Sequence, residues 1–236
     1  MKELRSFYRE EAQRKLTGRY GEVILYLILT GIATGILTSL TASFRPEYQG
    51  GVMVDQGIPG LVTLFSALGF LLSAGLAYSV QSLFIDISNN EEFNVWEKIK
   101  SGFVNDYGRN IVLVFMQGLF TFLWALLLII PGIIKAYAYS MSMYIAIKEP
   151  RVQGIEAITR SKTMMDGHKM DLFLLDLSYI GWYLLSLLTF GILLLWVVPR
   201  HQTARTLVFN EIYYDGVEPV KEEKPEEDDI FGDTLI

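Results

Sequence analysis

Between Ile111 and Ile147 the chain carries one charged residue, Lys135, in a run otherwise dominated by Leu, Ile, Val, Phe, Met, Ala and Tyr. The hydrocarbon core of a bilayer is about 30 Å thick and takes about 20 apolar helical residues to cross. The run is too long for one crossing and about right for two, and Pro131-Gly132 lies near its middle. Proline removes a backbone donor, and glycine tolerates the left-handed geometry of a chain reversal. The sequence therefore predicts a transmembrane hairpin: one helix to Ile130, a tight turn at Pro131 and Gly132, and a second helix from Ile133 to about Lys148.

Two further apolar stretches flank a short loop in the N-terminal half. Val23 to Ser43 reads as a first span. Ile58 to Ile87 contains a second, opened by Pro59 and closed by Asp86. Gly31 and Gly35, and then Gly69, Ser73 and Ala77, recur at the small-xxx-small spacing that lets membrane helices approach closely. After the hairpin, Leu172 to Val198 is broken by Asp176 and by Thr189-Phe190-Gly191. It is long for one span and short for two. If the last helix continues through Pro199 to about Tyr213, two spans fit, with a turn at Gly191.

Polar segments at 1–21, 89–110 and 150–170 separate these stretches. Leu4, Phe7, Tyr8, Ala12 and Leu16 have helical spacing in the first, and Phe93, Trp96, Ile99, Lys100 and Phe103 in the second. Ile155, Ile158 and Met165 do the same in the third. Each reads as an amphipathic helix lying at the membrane surface. Gly108 precedes Gly132 by 24 residues and Gly167 precedes Gly191 by 24, with Trp124 and Trp182 inside the two intervals. The fold class expected is all-α: about six transmembrane helices as three hairpins, each preceded by a surface helix. One integral membrane domain would cover 1–213, with possible repeats at 1–88, 89–149 and 150–213.

The formal charge of −6 is concentrated at one end. From Asp215 onward nine acidic residues face two lysines, a net of −7, so the rest of the chain sums to +1. This balance excludes a basic surface for nucleic acid. Residues 214–236 read as a disordered acidic tail, too poor in apolar residues to build a core. Basic residues cluster in the 1–21, 88–110 and 148–170 segments, against Arg45 alone in the 44–58 loop and none at Pro131. The positive-inside rule then places both termini in the cytoplasm. Partners expected are the lipid bilayer and a protein bound through the cytoplasmic surface helices or the acidic tail.

Across Pro131 to Asn210 the chain resembles a family of bacterial integral membrane proteins catalogued as domain of unknown function 975. The resemblance rests on Ile130-Pro-Gly-Ile-Ile-Lys135 with Tyr139-Ser140, and on Ser161-Lys162 with Met164-Met165, Gly167 and Lys169. It extends through Leu172 to Ser178 and Ile180-Gly181-Trp182. The chain departs from the family pattern at Tyr179, Arg200 and Asn210, where the pattern carries Phe, Tyr and an aromatic residue. The resemblance implies a polytopic protein of a bacterial cell membrane and brings no activity with it.

Catalytic signatures are missing: no HExxH, no GxSxG, no Walker loop, no Rossmann glycines and no paired intramembrane aspartates. With no cysteine and only His168 and His201, far apart in sequence, neither a metal centre nor a cofactor site is expected, and the chain is not read as an enzyme. Ionisable residues within spans are the remaining candidates. Lys135, three residues past the expected turn, reads as snorkelling to outer headgroups. Asp176 lies deeper. If the chain reverses at Phe190-Gly191, Asp176 and Arg205 lie equally far from the turn, about 21 Å below it at about 1.5 Å per residue. They form a candidate intramembrane ion pair. The alternative is an unpaired Asp176 wetted from the cytoplasm. Two functions stay open: a non-catalytic scaffold, assembly or stress-related membrane protein, or a small-solute transporter or channel with a polar site around Asp176.

Overall fold

The computed structural model describes residues 2–49, 52–55 and 57–216. Among them ten helices and one two-stranded ribbon follow in order: α1 Lys2–Leu16, α2 Tyr20–Ser43, β1 Glu47–Gln49, β2 Val52–Asp55, α3 Pro59–Asn89, α4 Val95–Val104, α5 Tyr107–Leu127, α6 Ile129–Tyr139, α7 Ser142–Lys148, α8 Gly154–Met164, α9 Lys169–Leu188 and α10 Leu194–Gly216. Four helices, α2, α3, α5 and α9, are long and apolar enough to cross a membrane, which marks a membrane protein. Of the tail expected at 214–236, residues 214–216 instead close α10, and the remainder, from 217 onward, lies outside the described residues.

The fold is all-α as expected, with one short ribbon added in a loop. In the loop between the first two spans, β1 pairs antiparallel with β2, Tyr48 opposite Met53 and Gln49 opposite Val52. Single alternating residues on so short a stretch carry no legible strand period, so the ribbon passed as loop.

The hairpin turn is also displaced. Leu128 is extended at φ −157° and ψ 139° and separates α5 from α6. Pro131 instead occupies the first turn of α6, where its missing N–H has no helical partner to lose. Gly132 is a contact residue: a Cβ there would lie 2.7 Å from the Cα of Ala125 across the hairpin. The glycine that looked like a hinge allows α5 and α6 to touch.

The second helix of that hairpin is two pieces. Ser161 of α8 donates its hydroxyl to Ala138 O at 2.9 Å and accepts from Met141 N at 3.2 Å. A side chain inserted into the backbone ladder breaks a helix at that point. Neither α6, at 11 residues, nor α7, at 7, is long enough alone to span a bilayer. By contrast, Phe190 and Gly191, with φ 50° and 85°, turn the chain between α9 and α10, and α10 runs on through Pro199.

The expected surface helices pack on protein, although on α4 Trp96 of the expected apolar face stays exposed. Tyr8, Ala12 and Leu16 of α1 are buried and α1 lies along α10, while Phe7 is exposed. Ile158 and Met165 are buried in and beside α8, and Ile155 alone of that trio is exposed. On α4, Gly102 rests on α3, where a Cβ would come within 2.1 Å of Gly75 O. An amphipathic stripe reports an interface without saying whether lipid or protein fills it. The small-residue stripe on α2 is likewise displaced, since a Cβ at Gly31 or Gly35 would meet nothing within 4 Å. Lipid-facing surface is instead supplied by Leu25, Ile28, Ile32 and Ile36, exposed along one side of α2.

Candidate functional site

A carboxylate in an apolar helix has no way to satisfy itself on its own backbone, so its partners define the site. Asp176 sits on α9, with its side chain 18% exposed. Its Oδ1 accepts from His201 Nε2 of α10 at 2.7 Å, and its Oδ2 accepts from the Tyr137 hydroxyl of α6 at 2.9 Å. Arg205, one turn beyond His201, brings its Nε to 3.7 Å from Oδ1. That distance is an ion pair and too long for a hydrogen bond; the buried Nε makes none.

The network extends behind the histidine. Tyr183 of α9 lies 2.8 Å from His201 Nδ1 through its hydroxyl. A neutral imidazole protonated at Nε2 satisfies the set, donating to Asp176 and accepting from Tyr183. Tyr179 stacks on the same ring, centroids 4.6 Å apart at 30°, and Arg9 of α1 covers Tyr179 at 5.5 Å. Three helices thus converge on one carboxylate, with α1 closing the outer side.

The structure therefore brings Asp176 and Arg205 together, with His201 the nearer partner. Lys135 is elsewhere, its Nζ 4.6 Å from the ring centre of Trp124 on α5. Pro131 and Gly132 lie in the first turn of α6 and Gly191 at the α9–α10 turn, away from the carboxylate's bonds. His201, Tyr137 and Tyr183 are the site residues that sequence reasoning missed. His201 had a signal: four residues before Arg205, it shares the helical face already assigned to an Asp176 partner.

A second polar cluster fastens the other end of α10. Asn210 Nδ2 donates to Ser88 Oγ at 2.9 Å and to Asn89 Oδ1 at 3.2 Å at the end of α3, and its Oδ1 accepts from Tyr144 of α7. Nearby, Lys98 Nζ of α4 reaches Asp86 at 2.5 Å and Ser82 at 2.9 Å. Arg109 of α5 donates to the carbonyls of Ala146, Pro150 and Val152, tying the start of α5 to the end of α7. No group of three or more His, Cys, Asp or Glu able to hold a metal occurs among the described residues.

Residues 126–218 match the family described as protein of unknown function (DUF975). The matched segment runs from the end of α5 through α10 and contains the whole Asp176 network apart from Arg9. No curated protein and no solved structure matches the chain.

Proposed function

We propose that this chain, whose 126–218 segment carries the DUF975 domain, is a non-catalytic, six-span protein of the bacterial cell membrane that serves as a scaffold for a cytoplasmic protein partner. The observation that carries the reading is the complete engagement of Asp176: both carboxylate oxygens are taken by groups from α6 and α10. A charge at that depth costs about 2.5–3.5 kcal/mol on insertion scales, and opposite charge and donors on neighbouring helices offset much of it. The network then acts as a fastener holding α10, the least apolar long helix, within the bundle. In this reading α6 and α7 together make the fourth crossing and α10 the sixth. Arg200, His201 and Arg205 are sheltered by protein, and both termini lie inside.

The cytoplasmic platform would consist of α1, α4 and α8 with the ends of α3 and α10, rich in paired charges such as Arg160 with Glu149 and Glu156. Reporter fusions test the topology: positions after Arg45 and at Leu128 read outside, and positions at Glu92, Gln153 and the C-terminus read inside. A C-terminal reporter outside the cell removes the sixth span and with it the proposal. Co-purification from native membrane in mild detergent tests the role. A specific protein partner supports it; a folded, solitary protein that moves a solute across proteoliposome membranes refutes it in favour of transport.

A further inference from the structure

Away from the Asp176 network, α3, α5, α6 and α7 line a cavity of about 750 Å³ that is open along one side, as a groove. Its walls are apolar except for Gln81, Gln117 and Thr121, and no charged residue is among its lining. Phe122 is both a lining residue and 61% exposed, which places the opening on the lipid-facing side of α5.

The polar groups have capacity to spare. Thr121 donates to the backbone carbonyl of Gln117 at 2.8 Å, leaving its oxygen free to accept. Gln81 uses one amide proton on Thr206 at 3.4 Å. The side-chain amide of Gln117 has no hydrogen-bond partner among the described residues. Gln117 is the central residue of α5, which runs from Tyr107 to Leu127, so it stands about 15 Å from either end. At the middle of a hydrocarbon core about 30 Å thick there is no bulk water to satisfy it. An amide left unpaired in such surroundings favours a ligand that can accept from it.

We propose that the cavity binds a lipid of the prenylquinone class: an uncharged ring with carbonyl acceptors on a long apolar chain. Two ring carbonyls accept from the amides of Gln117 and Gln81, and the chain leaves past Phe122 into the bilayer. Charge is excluded because no ionic group lines the cavity. A glycerolipid is excluded by depth, since its hydrated head stays at the headgroup level, about 15 Å from Gln117. A volume of 750 Å³ lies within the range of small-molecule sites, about 300–1,000 Å³. This binding site stands apart from the scaffold reading and from the Asp176 fastener, and their tests do not overlap.

The test uses the full chain in phosphatidylcholine nanodiscs titrated with decylubiquinone, which quenches tryptophan fluorescence; Trp124 neighbours the lining residue Ala125. Saturable quenching is expected, with Gln117→Leu and Gln81→Leu each weakening apparent affinity about tenfold, the size of one buried hydrogen bond. Ala136→Phe, which fills the cavity, should abolish the saturable component while leaving the thermal transition in place. Quenching that rises linearly and equally in all four proteins overturns the proposal. So does competition by dioleoylglycerol that loses strength in Gln117→Leu to the same degree, because the head group would then be wrong.

Discussion

Helices α2 and α9 are both apolar enough to cross a membrane, and both carry polar side chains, yet they use them in opposite ways. On α2 the hydroxyls fold back on their own helix: Thr30 donates to Tyr26 O at 2.9 Å, Thr34 to Thr30 O at 3.0 Å and Thr38 to Thr34 O at 2.9 Å. None of those bonds needs a second helix, and α2 leaves a broad face to lipid. On α9 two serines do the same, Ser178 donating to Leu175 O and Ser186 to Tyr183 O at 2.6 Å each, but a carboxylate and a phenol there are too strongly charged or too long to be satisfied locally. Asp176 reaches α6 and α10, and Tyr183 reaches the histidine of α10. A hydroxyl at i can bond the carbonyl at i−4, whereas an ionised carboxylate needs donors that its own helix has already spent on the backbone. Polar residues in a membrane helix therefore report tertiary structure only when their chemistry forbids a local solution.

The sharpest way to break that comparison is to remove Asp176. Asp176→Ala strands Arg205 and the His201 donor in a largely buried site and is expected to cost about 3–5 kcal/mol, read as a loss of thermal stability in detergent. In double-mutant cycles, coupling of Asp176→Asn with His201→Gln should exceed that with Arg205→Gln, because the distances are 2.7 and 3.7 Å. Purely additive losses mean that no direct interaction exists.

A second test separates glycines that touch from glycines that only follow the pattern. Gly102→Ala and Gly132→Ala each drive a methyl into facing backbone, within 2.1 Å of Gly75 O and 2.7 Å of Ala125 Cα, and should cost about 1–3 kcal/mol. Gly31→Ala and Gly35→Ala meet open space and should raise helix stability by up to about 1 kcal/mol. Equal effects at the two pairs would restore the small-residue stripe of α2 as a packing seam.

The Ser161 insertion gives a signal of similar size. Ser161→Ala deprives Ala138 O of a donor and Met141 N of an acceptor at a buried site, with an expected cost of about 1–3 kcal/mol. Hydrogen exchange should rise at Met141, and an unchanged rate there would show that the α6–α7 break persists without the hydroxyl. The smallest effect belongs to α2: Thr34→Val and Thr38→Val should move stability by no more than about 0.5 kcal/mol. A loss above 2 kcal/mol at either would mean that α2 hydroxyls do reach a second helix, and the contrast with α9 would collapse.

What the sequence determined by itself is what depends on long runs and on single irreplaceable residues. Apolar length set α2, α3, α5 and α9, because nothing but a bilayer or a deep core accepts so many consecutive apolar side chains. Equal spacing about Gly191 put Asp176 and Arg205 at one level, because a helical rise is fixed. The family match to 126–218 was legible too, in short motifs such as Ile130-Pro-Gly-Ile-Ile-Lys135. Tertiary structure alone decided which of several equivalent-looking features is used. Pro131 suits a turn or the first helical turn equally well, and Leu128, unremarkable in sequence, took the break. Ser161 lies twenty residues beyond Met141, and no local pattern announces that it will interrupt the helix there. The amphipathic faces of α1 and α8 were read correctly as apolar and wrongly as lipid-bound, since periodicity gives a face and not its occupant. His201 was weighed only against the distant His168 as a metal ligand; the carboxylate that holds it is 25 residues earlier in the chain and becomes a neighbour only once α9 and α10 fold back on each other.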